Sequence, residues 1–328
     1  MGQWLSLGDN SRRWFRIVAL AALLAAVGQI TLGGVVRVTD SGLGCPDWPL
    51  CHGQIFPPLE FHALTEYFHR VSAMALGLLV TVVTLMAWWF YREEDRITVP
   101  ITIALVLVVA AALLGGITVI VELQWWIVLI HLAVAECLVA CLVVTLVTGW
   151  DNLDHAVVRP NINDRHLGVD MLLATTVLMT FFLVLAASYM VGHGYGEVCN
   201  NWPLCQGSIL PVGQAEAVHM SHRIMVLFLG VLMAISATLV WRRRSASPEI
   251  RWVVILCVCL YFFQTFVGAF IVWTDFTSSA KAFHLMMATL VWVSVVLLAT
   301  LNFLPVPFVF SRVHGDIDNR LESGRFGT

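Results

Sequence analysis

The chain has 328 residues, of which 59% are hydrophobic and only 12% charged. A soluble protein of this length needs far more polar surface, so a soluble fold is excluded. The formal net charge of -3 gives no sign of a nucleic-acid partner.

A membrane-spanning helix needs about 20 mostly apolar residues. Eight such runs follow one another, at roughly 14–36, 70–91, 98–120, 126–148, 170–192, 220–241, 251–273 and 281–303. These runs are too long and too uniformly apolar for barrel strands, so the chain is read as an all-α membrane protein of eight transmembrane helices. Arg12, Arg13 and Arg16 precede the first run as they would in a signal peptide. The length of the run and the lack of a small-residue cleavage site predict an uncleaved first span. Arginine is concentrated in the loops of one side. The other side carries only Arg37, Arg70, Arg223 and Lys281. The positive-inside rule therefore predicts cytoplasmic N- and C-termini and extracytoplasmic loops after spans one and five.

Those two loops repeat each other. The first holds Cys45-Pro46-Asp47-Trp48-Pro49-Leu50-Cys51 and leads to Glu66-Tyr67-Phe68-His69-Arg70. The second holds Cys199-Asn200-Asn201-Trp202-Pro203-Leu204-Cys205 and leads to His219-Met220-Ser221-His222-Arg223. Each His-Arg pair is followed 62 positions later by His-Leu, at His131-Leu132 and His284-Leu285. A unit of about 154 residues has been duplicated. Because four spans is an even number, the second copy enters the membrane in the same sense as the first. The expected architecture is two pseudo-symmetric four-helix bundles in a parallel internal repeat. An N-terminal bundle would occupy 1–150, a cytoplasmic linker 151–168, a C-terminal bundle 169–305 and a cytoplasmic tail 306–328.

His69, His131, His222 and His284 fall near the outer ends of spans two, four, six and eight, so each half offers two imidazoles at similar depth. Ionisable residues inside a membrane are costly and usually functional. Zinc would want four close ligands, and copper would want a Met/Cys set that is absent at matching positions. Two neutral imidazoles on facing helices suit the axial positions of a haem iron. Arg70 and Arg223 are candidates for pairing with haem propionates, or for snorkelling to lipid phosphate. The segments Gln29-Ile30-Thr31-Leu32-Gly33-Gly34 and Gln264-Thr265-Phe266-Val267-Gly268-Ala269, with Gly115-Gly116, mark close helix packing or room for a flat macrocycle.

Cys45/Cys51 and Cys199/Cys205 have the spacing and compartment for intraloop disulfides, as structural staples or as redox-active pairs. Cys137, Cys141, Cys257 and Cys259 lie within spans and read as small packing residues. The copies differ at one telling place: Glu66 precedes His69 by three residues, where His219 precedes His222. One helical turn apart, such residues share a face. A carboxylate there can act as acid or base, so the first half is read as the working half. Arg37, aligned with Val191, also belongs to one half only. Glu136, aligned with Thr289, is a further intramembrane acid to which the sequence gives no role.

Taken together, Gly33-Gly34-Val35-Val36-Arg37, Ser41 through Cys51, Glu66 through Arg70 and the later His-Leu and His-Arg elements resemble the heme A synthase family of cytochrome oxidase assembly enzymes, across all eight spans. The resemblance implies oxidation of the C8 methyl of heme O to a formyl group by successive hydroxylations. It implies that His69 and His131 flank heme O, with Glu66 as catalytic acid/base; Arg37 joins Arg70 and Arg223 as a candidate propionate partner. It implies that His222 and His284 ligate haem b, and that Cys45 and Cys51 are the functionally relevant pair. It also implies a bacterial plasma membrane location, an electron donor, heme O synthase and oxidase assembly factors as partners, and allows a homo-oligomer. Two rivals from other classes remain at this point. One is a diheme b-type electron carrier or quinol dehydrogenase without chemistry on the porphyrin, and the other is a haem transporter.

Overall fold

The computed structural model describes residues 2–150, 167–243 and 248–303. Eight long helices make up nearly all of it: α1 (Gly2–Val38), α2 (Phe61–Phe90), α3 (Asp95–Ile120), α4 (Trp125–Trp150), α5 (Leu167–Gly192), α6 (Gln214–Arg243), α7 (Pro248–Trp273) and α8 (Ser278–Phe303). All eight are long and apolar enough to cross a membrane. The expected all-α membrane protein is what the chain forms. The expected tail 306–328, and all of the expected linker 151–168 except Leu167 and Gly168, lie outside the described residues.

α2 begins at Phe61 rather than at residue 70, and α6 at Gln214 rather than at residue 220. The added turns mix polar and apolar residues, which hides them from a hydropathy reading. They are helical because one face packs inward: Ala63 and Glu66 on α2 are buried, as are His219 and Met220 on α6. Both histidines that follow therefore sit inside a helix, not at its first residue.

α1 packs on α2 and α4, and α3 on α2 and α4, which closes a ring of four; α5 packs on α6 and α8, and α7 on α6 and α8, which closes another. Between the rings run the contacts α1–α8, α4–α5 and α4–α8. The apolar core is continuous across this seam, from Phe15 and Val139 on one side to Val295 and Leu298 on the other.

The ends of α3 and α7 turn into the next helix by the same device. Leu123 N–H donates to Thr118 O at 2.8 Å, and Phe276 N–H to Ile271 O at 2.8 Å, closing each helix end with residues of positive φ. The first turn brings Leu123 against Gly42, ahead of the first cysteine loop, and Lys281 near the start of α8 pairs with Glu197, ahead of the second.

Candidate functional site

Each cysteine loop is a stapled lid. Cys45–Cys51 and Cys199–Cys205 are disulfides, so both expected pairs form within their own loops. A two-residue turn follows each: His52-Gly53 and Gln206-Gly207 all have positive φ, as a tight hairpin turn requires. The turn is closed by reciprocal backbone bonds between Cys51 and Gln54 and between Cys205 and Ser208. Trp48-Pro49 and Trp202-Pro203 are both cis. Trp48 lies against Gly116 of α3, where a Cβ would stand 2.8 Å from the indole. Trp202 meets Trp273 at the end of α7 edge-on, with centroids 5.8 Å apart.

An arginine ties each lid to its helix. Arg70 donates from Nη1 to Asp47 O (2.7 Å) and Leu50 O (2.8 Å), from Nη2 to Cys45 O (2.8 Å) and from Nε to Glu66 Oε1 (3.0 Å). Four of its five N–H groups are thus engaged within the protein. Arg223 makes the matching bonds to Asn201 O (2.7 Å), Pro203 O (3.1 Å) and Cys199 O (3.3 Å). Arg37 takes a different course and reaches α5, where a Cβ on Gly192 would stand 3.7 Å from its Nη2. A cation is favoured at that helix C-terminus.

Glu66 is 5% exposed and its Oε1 is paired to Arg70, while its Oε2 has no partner among the described residues. The matching His219 is held at both ring nitrogens. Its Nδ1 lies 3.1 Å from Tyr195 O, and its Nε2 lies 3.4 Å from Arg223 Nη2. A carbonyl only accepts and a guanidinium only donates, so Nδ1 carries the proton and the ring is neutral. One half thus presents an acid with a free oxygen where the other presents an imidazole with both nitrogens engaged.

The structure brings His69 within electrostatic range of His131, and His222 within range of His284. These are the expected pairs. The residues around them fit a haem. Nδ1 of His131, His222 and His284 is buried without a hydrogen-bond partner. Glycines leave space at three rings: a Cβ on Gly33 would stand 3.1 Å from Cε1 of His69, one on Gly268 3.1 Å from that of His284, and one on Gly115 3.5 Å from that of His131. Among the described residues no cluster of three or more His, Cys, Asp or Glu side chains forms. A bis-imidazole haem site needs no such cluster, since the macrocycle supplies the remaining ligands.

Two contacts were not foreseen in the sequence. Gln29 on α1 reaches His69, and Gln264 on α7 reaches His284. Both lie in Gln-x-x-x-Gly segments whose shared spacing is the signal that could have found them. Glu136 is wholly buried between the two rings, where its Oε1 accepts from Thr289 Oγ1 of α8 at 2.9 Å.

The sequence pattern of the COX15-CtaA family, described as cytochrome oxidase assembly protein, matches residues 16–63 and 59–296. Relatives named heme A synthase from Bacillus cereus, Bacillus anthracis and Bacillus thuringiensis are each 25% identical to this chain over 283 residues, covering 83% of it and 87% of the relative. The match extends from the first helix to the last and takes in both lids and all four histidines, and the chain belongs to the cytochrome oxidase assembly protein family.

Proposed function

We propose that the chain is a heme A synthase, an integral membrane enzyme that oxidises the C8 methyl of heme O to a formyl group. The observation that carries this reading is the cluster at the start of α2. A buried carboxylate with one free oxygen lies one helical turn before a haem-ligand candidate, under a disulfide lid. In this reading residues 1–150 form the substrate bundle and residues 169–305 a supporting bundle, related by a pseudo-twofold axis along the membrane normal. The seam supports the symmetry: exchanging the halves turns α1–α8 into α5–α4 and leaves α4–α8 unchanged.

His69 and His131 would hold heme O, and His222 and His284 a haem b. When bound, haem iron supplies the redox chemistry that the side chains of this protein lack. The protein's own part is positioning, proton handling and exclusion of water. Glu66 Oε2 is free to take or give a proton at the hydroxylated carbon, while Arg70 fixes the carboxylate through Oε1. Arg70 and Arg223 hold the lids closed over the ends of the bundles, which keeps the site dry. One N–H of Arg70 remains for a propionate, and Arg37 offers a second cation. Both termini would be cytoplasmic and the lids extracytoplasmic in a bacterial plasma membrane, with heme O synthase delivering the substrate. The synthase names of the relatives weigh against a diheme electron carrier.

Coexpression with a heme O synthase in a host that lacks heme A tests the proposal, with extracted haems identified by mass. Heme A should form with the wild-type chain. Glu66→Gln should lower its yield by at least about a hundredfold, on the scale of a lost general acid/base, while both haem sites stay occupied. Unchanged heme O from the wild-type chain, with two b haems bound, would overturn the enzyme reading.

A further inference from the structure

Between α3 and α4, at the end of the first ring opposite its lid, lies a groove of about 310 Å³. Its walls are Val99, Pro100 and Ile103 of α3 and Ala140, Cys141 and Val144 of α4. Val99 and Ile103 are exposed on a helix long and apolar enough to cross a membrane, so the groove opens to lipid. Exposed Trp88 and Trp89 near the end of α2 and exposed Trp150 at the end of α4 mark the same end of the ring. Such tryptophans sit at the level of lipid headgroups.

The groove is polar only at this level, where Asp95 and Arg96, the first residues of α3, complete it. Neither side chain has a hydrogen-bond or ion-pair partner among the described residues. Pro100 has no N–H, which leaves the Arg96 carbonyl without its donor in the helix. An apolar slot thus ends in one free cation, one free carboxylate and one free carbonyl. The repeat does not keep this set. At the aligned positions the second half has Pro248 for Asp95, Glu249 for Arg96, the larger Trp252 for Val99, Val293 for Ala140 and Leu297 for Val144.

We propose that the groove is a binding site for one phospholipid with an ethanolamine headgroup. An acyl chain lies along the apolar walls. Arg96 donates to the phosphate, and the ammonium donates to the Asp95 carboxylate and the Arg96 carbonyl. A choline headgroup has no N–H to give those two acceptors. An anionic headgroup without an amine would leave Asp95 unpaired, and the run Arg92-Glu93-Glu94-Asp95-Arg96 sets three acids against two cations. The site makes no use of the histidines, so it stands whatever they hold.

The test purifies the full chain in detergent from a membrane rich in phosphatidylethanolamine and washes it until bulk lipid is gone. Native mass spectrometry then counts the lipid that stays bound. The wild-type chain should keep one phosphatidylethanolamine. Val99→Trp, which places the second half's residue in the groove, should lose it. Arg96→Gln should retain it several-fold less well, on the scale of an exposed ion pair. When lipids are added back, wild type should prefer phosphatidylethanolamine several-fold over phosphatidylcholine and phosphatidylglycerol, and Asp95→Asn should erase the preference over phosphatidylcholine. Should Val99→Trp fail to fold, Arg96→Gln decides. Retention that is equal in wild type and the variants would place the lipid elsewhere on the protein and overturn the proposal. So would a quinone found in the lipid's place, no bound lipid at all, or equal affinity for the three headgroups.

Discussion

Asp47 and Asn201 stand at the same place in the two lids, and the difference makes one lid sensitive to acid. Asp47 Oδ1 accepts from His52 N–H at 2.6 Å and Oδ2 from Gly53 N–H at 2.7 Å. The Gly53 N–H foremost, with that of His52, holds this carboxyl below its ordinary 3.8. A depressed carboxyl contributes order that is fully present above the ordinary value and is lost as pH falls through the folded one. The Cys45–Cys51 lid should therefore be intact at about pH 5 and loosen below about pH 3.8, whereas the Cys199–Cys205 lid, with Asn201, should not respond. Reduction by a phosphine, which acts in acid, reads this directly. The ratio of first-lid to second-lid reduction should rise as pH falls, and Asp47→Asn should show the high ratio at every pH. A ratio that stays flat through the acid range would show that the carboxylate does not hold the turn.

Helix faces decide whether a histidine can serve as a ligand. Gly268 leaves 3.1 Å between the site of a Cβ and Cε1 of His284, and Gly33 leaves the same gap at His69. A valine at either position would drive the ring from its place, at an overpacking cost of about 1–3 kcal/mol. If His284 holds a haem as proposed, Gly268→Val should remove the second-half haem from the absorption spectrum and spare the first. Gly33→Val should do the reverse. Loss of both haems from either variant would mean that the slots serve general packing instead. The elements and the pairing of the four histidines were legible because hydropathy and an exact repeat spacing both register in a single sequence. The disulfide pairs were legible for the same reason. The early starts of α2 and α6 were not, since polar residues such as Glu66 and His219 are buried there by tertiary contact. The glutamine contacts were not legible either. Gln29 and Gln264 occupy non-equivalent helices, so aligning the halves sets each against a residue, Leu183 or Ala111, that has no amide to make the same contact.

At the scale of the whole molecule, α8 holds the halves together. Over half of its most apolar stretch is enclosed, against about a third or less in the other helices, because it packs on α1, α4, α5 and α7. At its middle Thr289 donates to Glu136, its own counterpart in the repeat, and Trp292 Nε1 donates to the Glu136 backbone oxygen at 2.9 Å. The Trp292 bond goes to main chain, so it survives any side chain at position 136. What a substitution removes is the Thr289 bond and the side-chain volume. Interhelical hydrogen bonds in membranes average about 0.6 kcal/mol, whereas emptying a buried site costs about 2–5 kcal/mol. Volume should dominate. Glu136→Leu, which fills the site but loses the bond, should unfold in detergent close to wild type, and Glu136→Ala should unfold at a clearly lower temperature with loss of the haem in both halves. Glu136→Gln keeps both bond and volume and should match wild type. A double-mutant cycle with Thr289→Val isolates the bond itself, with an expected coupling of about 0.6 kcal/mol. If Glu136→Leu proved as damaging as Glu136→Ala, the carboxyl would have a role at the seam that its packing and its single hydrogen bond do not account for.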